Sequence, residues 1–487
     1  MINNDRPKFR YWFGFGCNFQ DGKNGNIGII HNVLTEFKFG NKVPPKWFSN
    51  KSLNEWEGLI LSNDDNLIEL NICYHYLIIL PKSIGKLVSL NALNIKLNPF
   101  KRLPESINNL ILLTDFDISN CKLNKLPKSI GNLKSLINLN VSYNNLQRLP
   151  ESICDLSNLS ILNIRNNKLQ ILPKKIGNLS SLTIIYNYYN KQLKLPESIG
   201  NLLLLTELYI SYNKLNILID SISNLKLLSI LYMFENKLQN LPESIGNLTS
   251  LIELNISYNN LQNLPESIGT LTSLTDLNCH LNKLQSLPES IGNLLSLINL
   301  HISYNNLSNL PDSIGNLIQL QTLDISNNQL QSLPDSIGNL IQLQTLNISN
   351  NQLQNLTDSI GNLLELQTLN ISNNQLQKLP ESIGNLLSLT YLYISYNNLS
   401  NLPDSIGNLL DLQRLNISNN QLQNLTDSIG NLLDLQTLDI SNNQLQKLPD
   451  LIGNLIKLYI LDISNNNIQN LPESLISFSK LQIINNK

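Results

Sequence analysis

"LQTLDISNNQLQSLPD", residues 320 to 335, recurs with small changes along most of the chain. Aligned on the leucine that opens "LxxLxI", copies start at Leu67, Leu90, Leu113 and every 23 residues to Leu458. That makes eighteen units over residues 67–480, with a stub at 481–487. A fixed internal period is read before any local feature, because it sets the architecture. The shared phrase is L-x-x-L-x-I-S-x-N-x-L-x-x-L-P-x-S-I-G-N-L-x-x. Its "LxxLxI" alternates as a short strand does, with leucines and isoleucine inward. The ninth place is Asn in sixteen units, from Asn98 to Asn466, with His75 and Cys121 as exceptions. An amide both donates and accepts, so a column of Asn can satisfy backbone groups where each strand turns away. In "LPxSIGNL", Pro sets φ, Ser is a candidate cap, Gly is expected to permit a tight bend, and Ile and Leu point inward. One unit cannot bury its apolar side alone, but stacked units share a continuous core. At about 4.8 Å per strand, the first and last of the eighteen stand roughly 80 Å apart.

The phrase "LPxSIGNLxxLxxLxISxNxL" resembles the leucine-rich repeat, in the 23-residue form of the intracellular Ras-group subclass (Scribble-like scaffolds, Ras-suppressor proteins, the repeat region of yeast-type adenylate cyclase). The resemblance implies an α/β solenoid: a horseshoe with a parallel β-sheet on the concave face and short helical or 3-10 turns on the convex face. It also implies a protein partner on the concave face, among small GTPases or their regulators. Fold alone does not set function.

Composition narrows the classes. Hydrophobic residues make up 42% of 487, enough for a large core. Lys+Arg of 34 against Asp+Glu of 36 gives a net charge of −2, which is no footprint for nucleic acid. No apolar run approaches the roughly 18 to 20 residues of a spanning helix, so no membrane insertion is expected. The start, "MINNDRPKFRYWFGFGCNFQ", lacks signal-peptide form. Cys17, Cys73, Cys121, Cys154 and Cys279 are scattered, without disulfide or zinc spacing. "NIS" and "NVS" place Asn140, Asn255, Asn347, Asn370 and Asn416 on the concave strands, where glycans would cover the binding face. These features point to a reduced, cytoplasmic protein rather than an extracellular receptor.

Residues 1–66 fall outside the period and carry Trp12, Trp47 and Trp56. They read as an N-terminal cap or as a small module of unknown type. "GCNFQDGKN", Gly16 to Asn24, superficially resembles a phosphate loop. It has five residues between its glycines instead of four, and Asn24 follows Lys23.

Chemistry is sparse. Histidines are His31, His75, His280 and His301. His280 and His301, with Asp276 nearby, outline a two- or three-ligand metal site. Two His without a convincing third ligand more often are ordinary surface residues, and the inward Cys279 cannot help. No nucleophile has a base assigned to it, so no catalytic residue, cofactor or metal is expected, and an enzyme or nucleotide site would have to lie in residues 1–66.

The place after the repeat's Pro is acidic in thirteen successive units, from Glu197 and Asp220 to Glu473. Before that it alternates, with Lys82, Glu105, Lys128, Glu151 and Lys174. Carboxylates there suit the exposed N–H groups of a short helical turn. The other reading is a docking rail for a basic partner.

The third, fifth, seventh and eighth places are expected to face outward. In the units at Leu320, Leu343, Leu366 and Leu435 they read Thr, Asn or Asp, Ser, Asn, and the unit at Leu412 differs by Arg414. The units at Leu182, Leu205 and Leu228 break this pattern. Their fifth places are Tyr186, Tyr209 and Tyr232, joined by Tyr188 and Phe234 at the seventh and Tyr189 and Tyr212 at the eighth. Glu207 and Glu235 add charge. Seven aromatics are expected to form an exposed partner-binding patch, or else a stacking ladder that stabilises the sheet. Tyr391, Tyr393 and Tyr396 form a secondary candidate. In "LTIIYNYYNKQLKLPE", residues 182–197, Asn187 takes an inward isoleucine place and Leu193 comes one residue late, which predicts a bulge at Gln192.

Overall fold

A computed structural model describes residues 27–39, 58–475 and 481–485. Trp12, Trp47, Trp56, Cys17 and the Gly16–Asn24 stretch lie outside the described residues. Parallel strands run from Leu67–Asn71, Ala92–Asn94 and Asp115–Asp117 through to Ile460–Asp462 and Gln482–Ile484. Each pairs with its neighbour one period on, as Thr322 with Thr345 and Thr345 with Thr368. The last step is a residue shorter, Ile460 pairing with Gln482. Leu59–Leu61 joins the first of these strands antiparallel, giving an open sheet of twenty strands among the described residues. Short 3-10 turns alternate with the strands. The chain is thus the open parallel-sheet solenoid that its period predicts.

The unit at Leu320 shows why. Leu320, Leu323, Ile325, Leu330, Ile337 and Leu340 are fully buried and pack on their counterparts in adjacent units. Each such side chain contributes about 1.5 to 3 kcal/mol. The Asn column closes the backbone between units. Asn328 Oδ1 accepts from Leu307 N at 3.0 Å, while its Nδ2 donates to Ile302 O at 3.1 Å and Ile325 O at 3.0 Å. Where Cys121 replaces Asn, its Sγ donates to Ile95 O at 3.2 Å. The residue before the column adopts the left-handed conformation in every unit, with φ of 55° at Asn327 and Asn350. Asn tolerates this region better than other side chains, which explains its frequency at the eighth place.

Two expectations for the return segment are corrected. Ser does not cap the turn: in Asp335–Asn339 the capping place is Pro334, without a side-chain bond. Gly serves close stacking rather than a bend. A Cβ on Gly338 would lie 2.5 Å from Ser359 O of the next unit. Carboxylates after the Pro do reach N–H groups, but in the following unit: Ser267 N donates to Glu243 Oε2 at 3.1 Å.

At the N-terminal side, helix Ile27–Thr35 buries Ile30, Val33 and Leu34 in the same cluster as Leu70 and Ile84. Lys38–Phe39 pairs antiparallel with Leu77–Ile79.

Candidate partner-binding face

Strands Ile184–Tyr186, Glu207–Tyr209 and Ile230–Tyr232 are adjacent, and their register aligns Tyr186, Tyr209 and Tyr232. The rings make one connected system. Tyr186 stacks on Tyr209 with centroids 5.0 Å apart, and Tyr209 meets Tyr232 edge-on at 5.3 Å. In the next column Tyr189 stacks on Tyr212 at 4.0 Å, and Tyr212 meets Phe234 edge-on at 5.2 Å. Tyr188 joins through Tyr189 at 5.8 Å, and Phe234 contacts Tyr232 at 6.3 Å.

The expectation of seven exposed rings is corrected at one of them. Tyr209, in the middle strand, is only 6% exposed, covered by the rings on either side, and its hydroxyl donates to Glu207 Oε2 at 3.0 Å. Tyr189 is exposed, and Tyr186, Tyr188, Tyr212, Tyr232 and Phe234 are half-buried. The stacking ladder and the accessible patch are therefore the same object: a buried central rung with open edges. The seventh place also differs from expectation where it is Ser. Ser326 is buried, and its hydroxyl donates to Asp324 Oδ1 at 2.7 Å.

The local electrostatics keep these hydroxyls neutral. Burial, then the nearby Glu207 carboxylate, push Tyr186 up to about 12. The same causes raise Tyr209 further, and burial raises Tyr188 despite the opposing Arg165. The contact with Tyr189, then burial, push Tyr212 up to about 12. Glu235, the remaining carboxylate, sits at the eighth place with φ 55°.

Three members escaped the sequence reading. Arg165 donates to the Tyr188 hydroxyl, and its guanidinium lies 5.4 Å from the Tyr188 ring centroid and 5.1 Å from that of Tyr143. It extends the system by two units, a cation–π bridge that only the seventh-place column would have revealed. Glu253 accepts from the Tyr232 hydroxyl. At the secondary cluster, Tyr391, Tyr393 and Tyr396 make no ring–ring pair with one another among the described residues; Arg414 lies 6.0 Å from the Tyr391 ring.

The anomalous stretch contains no bulge. Gln192 occupies the buried leucine place and Leu193 is turned to solvent, 60% exposed. Asn187 and Gln192 exchange two amide bonds of 3.0 Å, and Asn190 Nδ2 donates to Asn187 Oδ1 at 3.2 Å. Gln192 N still donates to Asn213 Oδ1 at 3.1 Å, so the column is unbroken.

His280 packs edge-on between Tyr258 and Tyr304, at 5.4 and 5.3 Å, with Nδ1 2.7 Å from Ser303 Oγ. Burial lowers its pKa. No group of three His, Cys, Asp or Glu among the described residues is placed to hold a metal ion. Cys73, Cys121, Cys154 and Cys279 are free thiols.

Comparison with known proteins agrees with this geometry. The family described as "Leucine-rich repeat region" matches residues 105–214, 286–353 and 335–426. A related description, "Leucine Rich Repeat", matches 204–225, 250–271, 434–455 and 457–478. The chain belongs to the leucine-rich-repeat family. Among solved structures, this leucine-rich-repeat chain is similar to a leucine-rich-repeat protein of Leptospira interrogans, at 31% identity and a TM-score of 0.62, covering 85% of this chain and 94% of that one. It is similar to the plant peptide hormone receptor RGFR1, solved in complex with RGF2, at 28% identity and a TM-score of 0.57 over 85% and 82%. It is also similar to YopM of Yersinia enterocolitica, at 26% identity and a TM-score of 0.54 over 81% and 86%. Comparison with curated proteins gives no match. Leucine-rich-repeat proteins generally mediate protein–protein interaction. No helix among the described residues is long and apolar enough to cross a membrane.

Proposed function

We propose that this leucine-rich-repeat protein is a non-enzymatic interaction scaffold whose concave face binds a protein partner through Tyr186, Tyr188, Tyr189, Tyr212, Tyr232 and Phe234, with Tyr209 as their buried support and Glu207 and Glu235 beside them. One observation carries this reading: three adjacent units place Tyr at the fifth place, where the units on either side place Asn163 and Asn255. Tyr189 and Tyr212 hold the left-handed eighth place, as Tyr143, Tyr258, Tyr304 and Tyr396 do elsewhere, and differ from those in stacking on each other. A connected ring system with a buried centre and open edges fits a binding role. Tyr391, Tyr393 and Tyr396 serve as a secondary contact. Helix Ile27–Thr35, within residues 1–66, acts as a cap on the first of the eighteen repeats.

The Ras-group form of the phrase favours a partner among small GTPases or their regulators, and a cytoplasmic site of action. Asn140, Asn255, Asn347 and Asn416 fit that compartment, since they end concave strands where glycans would cover the face. A photo-crosslinking residue in place of Tyr189 is expected to capture a partner that the same residue in place of Asn350 does not. Equal capture at both places would overturn the proposal.

A further inference from the structure

The repeats are polarised in charge along the solenoid. Residues 67–204 carry sixteen Lys and Arg against seven Asp and Glu, whereas residues 205–480 carry nine against twenty-two. At the boundary the twelfth and thirteenth places turn apolar in three successive repeats. Ile171, Leu193 and Ile217 are 48%, 60% and 60% exposed. In every repeat from Leu228 onward those two places hold Gln, Asn, Ser or Lys. Leu193 is outside because Gln192 has taken its core place.

We propose that a second copy of this chain docks here, antiparallel, about a two-fold axis that passes through Leu193 from the concave to the convex side. An isologous interface needs a patch complementary to itself. This one is: the axis sets Leu193 on its own copy and Ile171 on Ile217. Moving outward, Lys174 and Lys175 meet Asp220, Arg148 meets Glu243, and Lys125 and Lys128 meet Glu266, all exposed. The same axis also sets Glu151 near Glu243, Lys168 near Lys214, and Lys194 and Glu197 each near their own copies, so the attraction is the excess of opposite pairs over these like ones. Stacking two copies in the same direction would instead set basic on basic and acidic on acidic. Eleven repeats at about 4.8 Å give a contact roughly 50 Å long. A strip about 16 Å wide then supplies the ~800 Å² per partner of a standard interface. The concave aromatic face stays open in such a dimer.

Sedimentation velocity on the full chain tests this. A dimer is expected at about 50 mM salt, and a monomer at about 1 M, where screening extends to roughly 3 Å. Leu193→Glu is expected to be monomeric, with its far-ultraviolet spectrum unchanged because the side chain is exposed. Lys174→Glu breaks two pairs across the axis and is expected to weaken the dimer about tenfold. Adding Asp220→Lys to it restores the wild-type constant to within about threefold. A monomer at low salt, a dimer that survives Leu193→Glu, or a double variant as weak as Lys174→Glu would each overturn the proposal.

Discussion

The repeats at Leu182, Leu205 and Leu228 and those at Leu320, Leu343 and Leu366 share one backbone and differ in what they carry. Both sets pair in a 23-residue register, close each step with an Asn, and hold the eighth residue left-handed. The later set presents Thr, Asn or Asp and Asn on its open face, almost without variation. The earlier set replaces these with seven aromatic rings, and in one repeat exchanges a core Ile and Leu for a paired Asn187 and Gln192. The inward places and the Asn column set the fold, while the outward places are free to vary. The register and the Asn column do not require rings on the free places, so the aromatic concentration is a property of these three repeats and not of the shared fold.

The sharpest way to break the shared part is Asn328→Ala. It orphans the buried Leu307 N and takes one of two amide donors from Ile302 O and Ile325 O, which keep Asn305 Nδ2 and Asn351 Nδ2, and should cost about 3 kcal/mol in urea unfolding. Within the aromatic set, Tyr209→Ser removes a buried ring and is expected to cost about 3 kcal/mol, where Tyr304→Ser, half exposed, changes little. Asn187→Ile alone orphans the Gln192 amide, at a cost of about 1 to 3 kcal/mol; adding Gln192→Leu should recover stability to within about 1 kcal/mol. A double variant no better than the single would show that the exchange is more than a packing alternative.

A smaller effect separates the two sets by pH. Tyr186 and Tyr212 hold their protons up to about 12, above the ordinary value near 10 for an unfolded chain. Because the folded state binds protons more tightly, their contribution is complete below about pH 10 and is lost as pH rises through about 12. Absorbance titration of the tyrosines should show this late ionisation, with a smaller late amplitude in Tyr212→Asn and the Tyr186 share remaining.

The period, the strands, the inward leucines and the Asn column were legible because each is written eighteen times. The alignment of Tyr186, Tyr209 and Tyr232 was legible for the same reason. What escaped depends on neighbours in space. The burial of Tyr209 follows from two flanking rings, and Arg165 joins the face through a contact with Tyr188 one repeat away. The swap of Gln192 for Leu193 depends on an amide partner five residues back. The role of Gly was misread because its close neighbour, a Ser carbonyl of the next repeat, lies 21 residues ahead in sequence.

The central claim, that the open edges of the aromatic face bind a partner while its buried rung supports the fold, is tested most directly by Tyr189→Asn with Tyr212→Asn. Asn is what eight of the eighteen repeats hold at this left-handed place. Relief of strain should offset the lost stacking, leaving stability within about 1 kcal/mol of wild type. Unfolding and affinity capture are measured on the same protein, with Tyr304→Asn as the control. The account predicts an unchanged or raised unfolding midpoint and loss of the partner that wild type and control both retain. An unchanged capture profile, or a marked loss of stability, would contradict it.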